Sequence, residues 1–214
     1  MSGLPVYDAV LLPGADVEER SVRLSAWCAE FAPVEFTLRS GSLYPHISLY
    51  MANFESARLG QAREALRRVA GRTAEIPLEG GHFAANDQGM FELFYRKTAA
   101  VTRLQNDLVA GLGPLRTGLR ELDPVGRVLA DHRLVAPPEA RANLDRHGYD
   151  EIGGLFRPHI TMTRFRDRGL RVPAGLLPPA RTFDDVFRTL ALCVMGDHGT
   201  CVEVVETVGL GSAA

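Results

Sequence analysis

Lysine is almost absent from this 214-residue chain: Lys97 is the only one, and nearly all positive charge is arginine. That one-sidedness reads as compositional bias more than as phosphate recognition. A formal net charge of −2 excludes a protein that coats long nucleic acid through bulk charge, while leaving room for a local arginine cluster. No apolar run approaches the roughly 20 residues of a membrane-spanning helix, so no membrane association is expected. The opening MSGLPVYDAV lacks a basic start followed by an apolar stretch, so no export signal is read and a cytoplasmic location is expected by default. Cysteine is scarce: Cys28, Cys193 and Cys201 form no CxxC pair and read as reduced, buried thiols, although the last two could face each other across a hairpin. Neither HxxxH nor a cysteine cluster is present, so no metal site and no cofactor are expected. The glycines at Gly80-Gly81, Gly153-Gly154 and Gly209 do not make a phosphate-cradling loop. The pair Asp184-Asp185 lacks a partner that would make it an acid–base set.

Hydrophobic residues make up 46% of the chain, enough for one sizeable domain or two small lobes sharing a core. Tyr7 to Leu12 reads as a buried strand stopped by Pro13-Gly14. Asp16 is expected to cap a helix reaching about Phe31, where Pro33 ends it. A second apolar strand, His46 to Met51, leads into a helix from about Glu55 to Ala70, with Gly71 as its stop. Glu75 to Ala85 and Met90 to Arg96 read as strands joined by the turn Asn86-Asp87-Gln88-Gly89. A helix follows from about Thr98 to Leu112. Arg188 to Met195 and Cys201 to Val208 form a last hairpin around Gly196-Asp197-His198-Gly199, and Gly211 to Ala214 look loose. Because several neighbouring strands are hairpins, a mixed, largely antiparallel α+β arrangement is expected rather than a doubly wound parallel sheet.

The order strand, helix, histidine-bearing strand occurs from Tyr7 to Met51 and again from Met90 to Phe165. The second copy carries an extra segment, Gly113 to Phe156, with one short helix opened by Pro137-Pro138-Glu139 and closed at Gly148. The halves repeat in pattern rather than in identity.

The histidine strands are Tyr44-Pro45-His46-Ile47-Ser48-Leu49 and Arg157-Pro158-His159-Ile160-Thr161-Met162. Alternation along a strand puts each histidine and the hydroxyl two residues on upon one face, with Ile47 and Leu49, or Ile160 and Met162, anchoring the other. Cleaving a phosphodiester with an oxygen nucleophile needs one group to take a proton and another to give one. Imidazole suits both tasks near neutrality. Ser48 and Thr161 could then donate to the non-bridging oxygens as charge builds there. A single His-x-Ser is weak evidence; two copies in matching context make His46, Ser48, His159 and Thr161 the candidate catalytic set.

These paired segments resemble the signature of the 2H (two-histidine) phosphoesterase superfamily, in particular its LigT-like branch of 2′,5′ RNA ligases and cyclic phosphodiesterases. Pro158-His159-Ile160-Thr161, followed by Arg164, is the closer match to that signature; His46 and Ser48 fit the first copy. The resemblance implies a bilobal fold with a pseudo-two-fold axis, two mostly antiparallel sheets with flanking helices, and a central cleft. It also implies metal-independent cleavage of 2′,3′-cyclic phosphates or 2′,5′ linkages in nucleotides or RNA ends, with reverse ligation in some members. The whole of 1–214 is then a single bilobal domain, expected to be monomeric without a stable protein partner. The motif histidines stand 113 positions apart, long for compact members of the family, and the excess falls in 113–156, which could form a lid or side wall.

Tyr44 and Arg157 each precede a motif histidine by two residues, so ideal alternation would aim both at the cleft, one to stack on a base and one to pair with phosphate. Arg164 joins them as a substrate-binding candidate, although strict alternation points it to the opposite face. Tyr50 and Thr163 have the parity to line the floor. His82, His132, His147 and His198 lack a hydroxyl partner at the right spacing and read as solvated or hinge positions. Two alternatives stay open: a nucleotide- or RNA-binding module that keeps the cleft without the chemistry, and RNA 2′,5′ ligation as the main direction.

Overall fold

A computed structural model of the protein describes residues 4–211. Residues 212–214, part of the tail expected to be loose, lie outside that range. The strands are β1 (Val6–Leu12), β2 (Ile47–Asn53), β3 (Ile76–Leu78), β4 (Gly80–Ala85), β5 (Met90–Tyr95), β6 (His159–Arg164), β7 (Asp185–Phe187), β8 (Thr189–Met195) and β9 (Cys201–Gly209). The helices are α1 (Ala15–Phe31), α2 (Leu59–Ala70), α3 (Ala99–Leu112), α4 (Leu129–Val135) and α5 (Pro138–His147). Seven strands form one sheet in the order β4-β5-β6-β2-β1-β8-β9, and β3 pairs with β7 in a second, two-stranded sheet. All the pairings are antiparallel, as the hairpin-rich sequence predicts.

The centre of the large sheet holds the two histidine strands, joined by a single registered pair, Ile47 opposite Ile160. These residues are equivalent in the two motifs. Equivalent positions that face each other across antiparallel strands lie about a local two-fold axis, so the sequence repeat becomes a symmetry of the fold. Strands β1, β8 and β9 extend the sheet on one side of this junction and β5 and β4 on the other. Ile47, Leu49, Ile160 and Met162, all at 0% exposure, belong to one hydrophobic cluster with Val17 and Leu24 of α1, Leu66 of α2 and Leu104 and Leu108 of α3. With the apolar positions of each motif buried in this way, the histidines and hydroxyls are left for the opposite face.

Several local expectations need correction. The N-cap of α1 is Gly14, whose N–H is taken by Asp185 at 2.7 Å, and Asp16 lies in the first turn. The helix expected from Glu55 opens with a separate short turn at Ser56–Arg58 before α2 begins. The strand expected over 75–85 is two, β3 and β4, because the chain swings at Gly80 against the Ala180 carbonyl, where a Cβ would sit 2.0 Å from the oxygen. Segment 113–156 carries α4 as well as the expected α5, which does end at Gly148 with φ of 71°. All three cysteines are free and buried. Among the described residues, no helix is long and apolar enough to cross a membrane.

Candidate active site

On the exposed side of the β2–β6 junction lies a cavity of about 310 Å³, lined by His46, Ser48, His159 and Thr161 together. Two imidazoles and two hydroxyls, more than a hundred positions apart in sequence, thus share one hollow. Both rings are held in the same way. His46 Nδ1–H donates to the Tyr44 carbonyl at 2.8 Å, and His159 Nδ1–H donates to the Arg157 carbonyl at 2.7 Å. A neutral histidine whose Nδ1 carries the proton has its lone pair on Nε2. The local backbone therefore fixes tautomer and orientation, each ring bonded to the carbonyl two residues before it.

Their surroundings differ. Burial pushes the His46 pKa down to about 4; the Tyr44 carbonyl resists that fall, His159 adds to it, and the Gly199 backbone again resists. His46 is therefore neutral through the physiological range. His159 instead has a carboxylate partner, with Glu92 Oε1 3.5 Å from Nε2. Glu92 faces Thr161 across the β5–β6 pair, next to a bulge between Phe91 and Glu92, and is only 7% exposed. Burial raises its pKa, which the charge of His159 pulls down, Glu151 pushes up and Arg157 pulls down. Phe94, opposite His159 in the same pair, holds the ring by an aromatic contact at 5.4 Å between centroids.

Beneath Ser48 lies Asp8 of β1, fully buried, with Oδ1 accepting from the Tyr50 N–H at 3.3 Å. Burial lifts its pKa to about 7, against the smaller opposing effects of the Ser48 hydroxyl, the Arg120 guanidinium and the backbone of Tyr50 and Leu49.

Arg157 lines the cavity, with its guanidinium 5.4 Å from the centre of the Phe94 ring and 3.8 Å from Glu151. Tyr44 does not line it. Strand β2 begins only at Ile47, and Tyr44 instead bridges to Cys201 and packs beside Val10, Ala191 and Cys193, so alternation does not carry back through Pro45. Arg164 is 4% exposed and commits its guanidinium to the protein: Nε to the Gln88 carbonyl at 3.0 Å, Nη2 to the Val125 carbonyl at 3.2 Å and Nη1 to His198 Nδ1 at 2.9 Å. It ties together three loops around the cavity and does not itself line it. Tyr50 and Thr163 are buried, their hydroxyls donating to the carbonyls of His147 and Phe36, and neither reaches the floor.

Sequence reasoning missed Glu92, Asp8 and His198. The first two stand within apolar strands, where only cross-strand neighbours reveal a role. His198, expected to be solvated or a hinge, lines the cavity with Gly199. Of the other histidines so read, His82 stacks on Phe94 and His132 lies 3.8 Å from Asp150. Segment 113–156 supplies Asp123, Pro124, Val125, Arg127, Tyr149, Asp150 and Glu151 to the wall.

No family model matches the chain, and no curated protein does. Solved structures do. LigT of E. coli complexed with 3′-AMP superposes with a TM-score of 0.57 at 16% identity, covering 99% of this chain and 100% of that one. The complex of the same protein with NADP+ gives 0.56 at 16% identity, over 98% and 99%. TT0787 of Thermus thermophilus gives 0.57 at 17% identity, over 96% and 97%. At such identity the likeness speaks for architecture, and it runs nearly end to end. The chain has the fold of the LigT-like 2H phosphoesterases.

Proposed function

We propose that the protein is a metal-independent phosphodiesterase acting on 2′,3′-cyclic phosphates or 2′,5′-linked nucleotides and RNA ends, with His46 as base and His159 as acid. The observation that carries this reading is the convergence of both motif histidines on one cavity, each with Nδ1 tied to a carbonyl so that Nε2 is left for proton transfer, that of His159 beside the Glu92 carboxyl at 3.5 Å. Neutral His46 Nε2 takes a proton from water as the water oxygen bonds to phosphorus. His159 Nε2–H gives its proton to the ribose oxygen as the phosphorus–oxygen ester bond breaks, with Glu92 holding the imidazolium in place. Thr161 donates to the non-bridging oxygens, Ser48 does so when neutral Asp8 beneath it is the donor of their shared bond, and Arg157 draws the phosphate in. The product is a phosphate monoester, and solvent returns the proton from His46 to His159. Ligation would put the 5′-hydroxyl of a second strand in the place of water: His46 takes its proton as its oxygen bonds to the phosphorus of a 2′,3′-cyclic phosphate, and His159 protonates the 3′-oxygen as its bond to phosphorus breaks.

The 3′-AMP bound in the E. coli LigT structure is a monoester of the kind such a reaction leaves, which supports the assignment of substrate class. Segment 113–156, which lines the cavity, would serve as the side wall that narrows the choice of substrate. The test is turnover of a 2′,3′-cyclic mononucleotide and a 2′,5′-linked dinucleotide in the presence of a chelator. Activity is expected with both and unchanged by the chelator; loss on chelation, or no product from either, would contradict it. A leaving-group comparison then assigns the roles. His159→Ala and Glu92→Gln are expected to recover much of their loss on a nucleoside p-nitrophenyl phosphate, which needs no acid, whereas His46→Ala is not. Recovery by His46→Ala and not by His159→Ala would reverse the assignment.

A further inference from the structure

The loop between β8 and β9 holds the only non-glycine residue with positive φ among the described residues, His198 at φ 61° and ψ 20°. That conformation costs a histidine about 1 kcal/mol or more, and such strain persists only where the surroundings over-determine it. Here they do. The loop is closed by Gly196 N–H to the Thr200 carbonyl at 2.8 Å, the ring lies parallel to Phe36, and Arg164 grips Nδ1. A guanidinium offers only donors, so His198 Nδ1 accepts and the neutral ring carries its proton on Nε2. No described residue bonds that nitrogen. This is the opposite tautomer from His46 and His159, and a donor in place of a base.

His198 and Gly199 also border a second cavity of about 460 Å³, which shares Met51, Pro124 and Val125 with the first. Its further wall includes the apolar Val6, Leu122 and Met195. Gly199 backs so closely on Pro124 that a Cβ would fall 2.9 Å from the proline, so the loop and segment 113–156 meet at the divide. The second cavity is within the range of roughly 300–1,000 Å³ usual for small-molecule sites, and its lining mixes these apolar side chains, whose faces suit a planar group, with Asn53, Glu121, Asp123, Arg164 and Asp197, which can meet the polar edge of a nucleobase.

We propose that His198 is a third substrate-contacting histidine, donating through Nε2–H to the ester oxygens of a phosphodiester that passes from the His46–His159 cleft into the second cavity, which binds the nucleobase on the far side of phosphorus. The inference rests on the phosphodiesterase reading above and narrows it: a linear diester with a base on each side is favoured over a cyclic mononucleotide. Steady-state kinetics on a 2′,5′-linked dinucleotide and a 2′,3′-cyclic mononucleotide test it. His198→Gly suits the backbone without the ring, His198→Asn tolerates the positive φ with a shorter side chain, and Leu122→Trp, at a 48% exposed position, fills the second cavity independently. All three are expected to lower the dinucleotide-to-cyclic ratio of kcat/KM, chiefly through KM for the dinucleotide, the two His198 variants by about 3- to 10-fold for the loss of one hydrogen bond. An unchanged ratio, or a loss in kcat alone that is equal for both substrates, overturns the second subsite while leaving the phosphodiesterase reading intact. A wild-type protein inert on both substrates overturns that reading and this one with it.

Discussion

At the level of single residues, the two motif histidines are alike in their backbone bond and unlike in their electrostatics. Because burial opposes the His46 cation, acid must reach about pH 4 before the base is lost. The acid limb of kcat/KM is therefore expected near 4, well below the 6.5 of a solvated imidazole; a midpoint close to 6.5 would contradict the desolvated site. Asp8 gives the opposite sign. Its folded pKa of about 7 lies above the ordinary 3.8, so the folded protein holds an extra proton between those values. Its contribution to stability is fully present below the ordinary value and lost as pH rises through the folded one. Asparagine cannot ionise, so Asp8→Asn is expected to gain about 2–3 kcal/mol relative to wild type between about pH 5 and about pH 8. Urea unfolding at the two pH values measures it, and a pH-independent difference would contradict the assignment. None of this was legible at Asp8, which the sequence presents as one polar residue in an apolar strand. The motif hydroxyl it supports, Ser48, was legible because it repeats.

Among the elements, the strands bearing the motifs were readable from alternation, and the turn Asn86–Gly89 from its residue types. What alternation could not supply was register. The bulge beside Glu92, which sets this carboxylate against Thr161 and His159, depends on pairing between strands nearly seventy positions apart. Tyr44 misled because parity was carried through a proline into residues that are not yet strand. Arg164 matched a family position, yet its work is to bind three loops to one another. One of these loops turns at Gly89, where φ is 79° and a Cβ would lie 2.5 Å from the Phe165 carbonyl oxygen. Gly89→Ala is expected to cost about 1–3 kcal/mol and, by displacing the Gln88 carbonyl that Arg164 holds, to raise KM. A thermal melt and a substrate titration check both halves; an unaltered Tm would mean that the turn gives way without strain.

Over the whole molecule, the repeat in element order becomes a sheet whose two halves meet at one registered pair, Ile47 with Ile160, and the functional side chains stand beside that join. A site placed there takes one imidazole from each half. Segment 113–156 breaks the symmetry by walling one side of the cleft, and its contribution was the hardest part to anticipate, since it carries little periodicity and two short helices. If both imidazoles act in one transition state, losing either disables the other, and their effects cannot add. The decisive measurement is kcat on a 2′,3′-cyclic mononucleotide for His46→Ala, His159→Ala and the double variant. Each single change is expected to lower kcat by about 10²–10⁴-fold, with the double variant little worse than the more damaged single. Single variants that turn over like wild type, or losses that multiply in the double, would contradict a shared acid–base site.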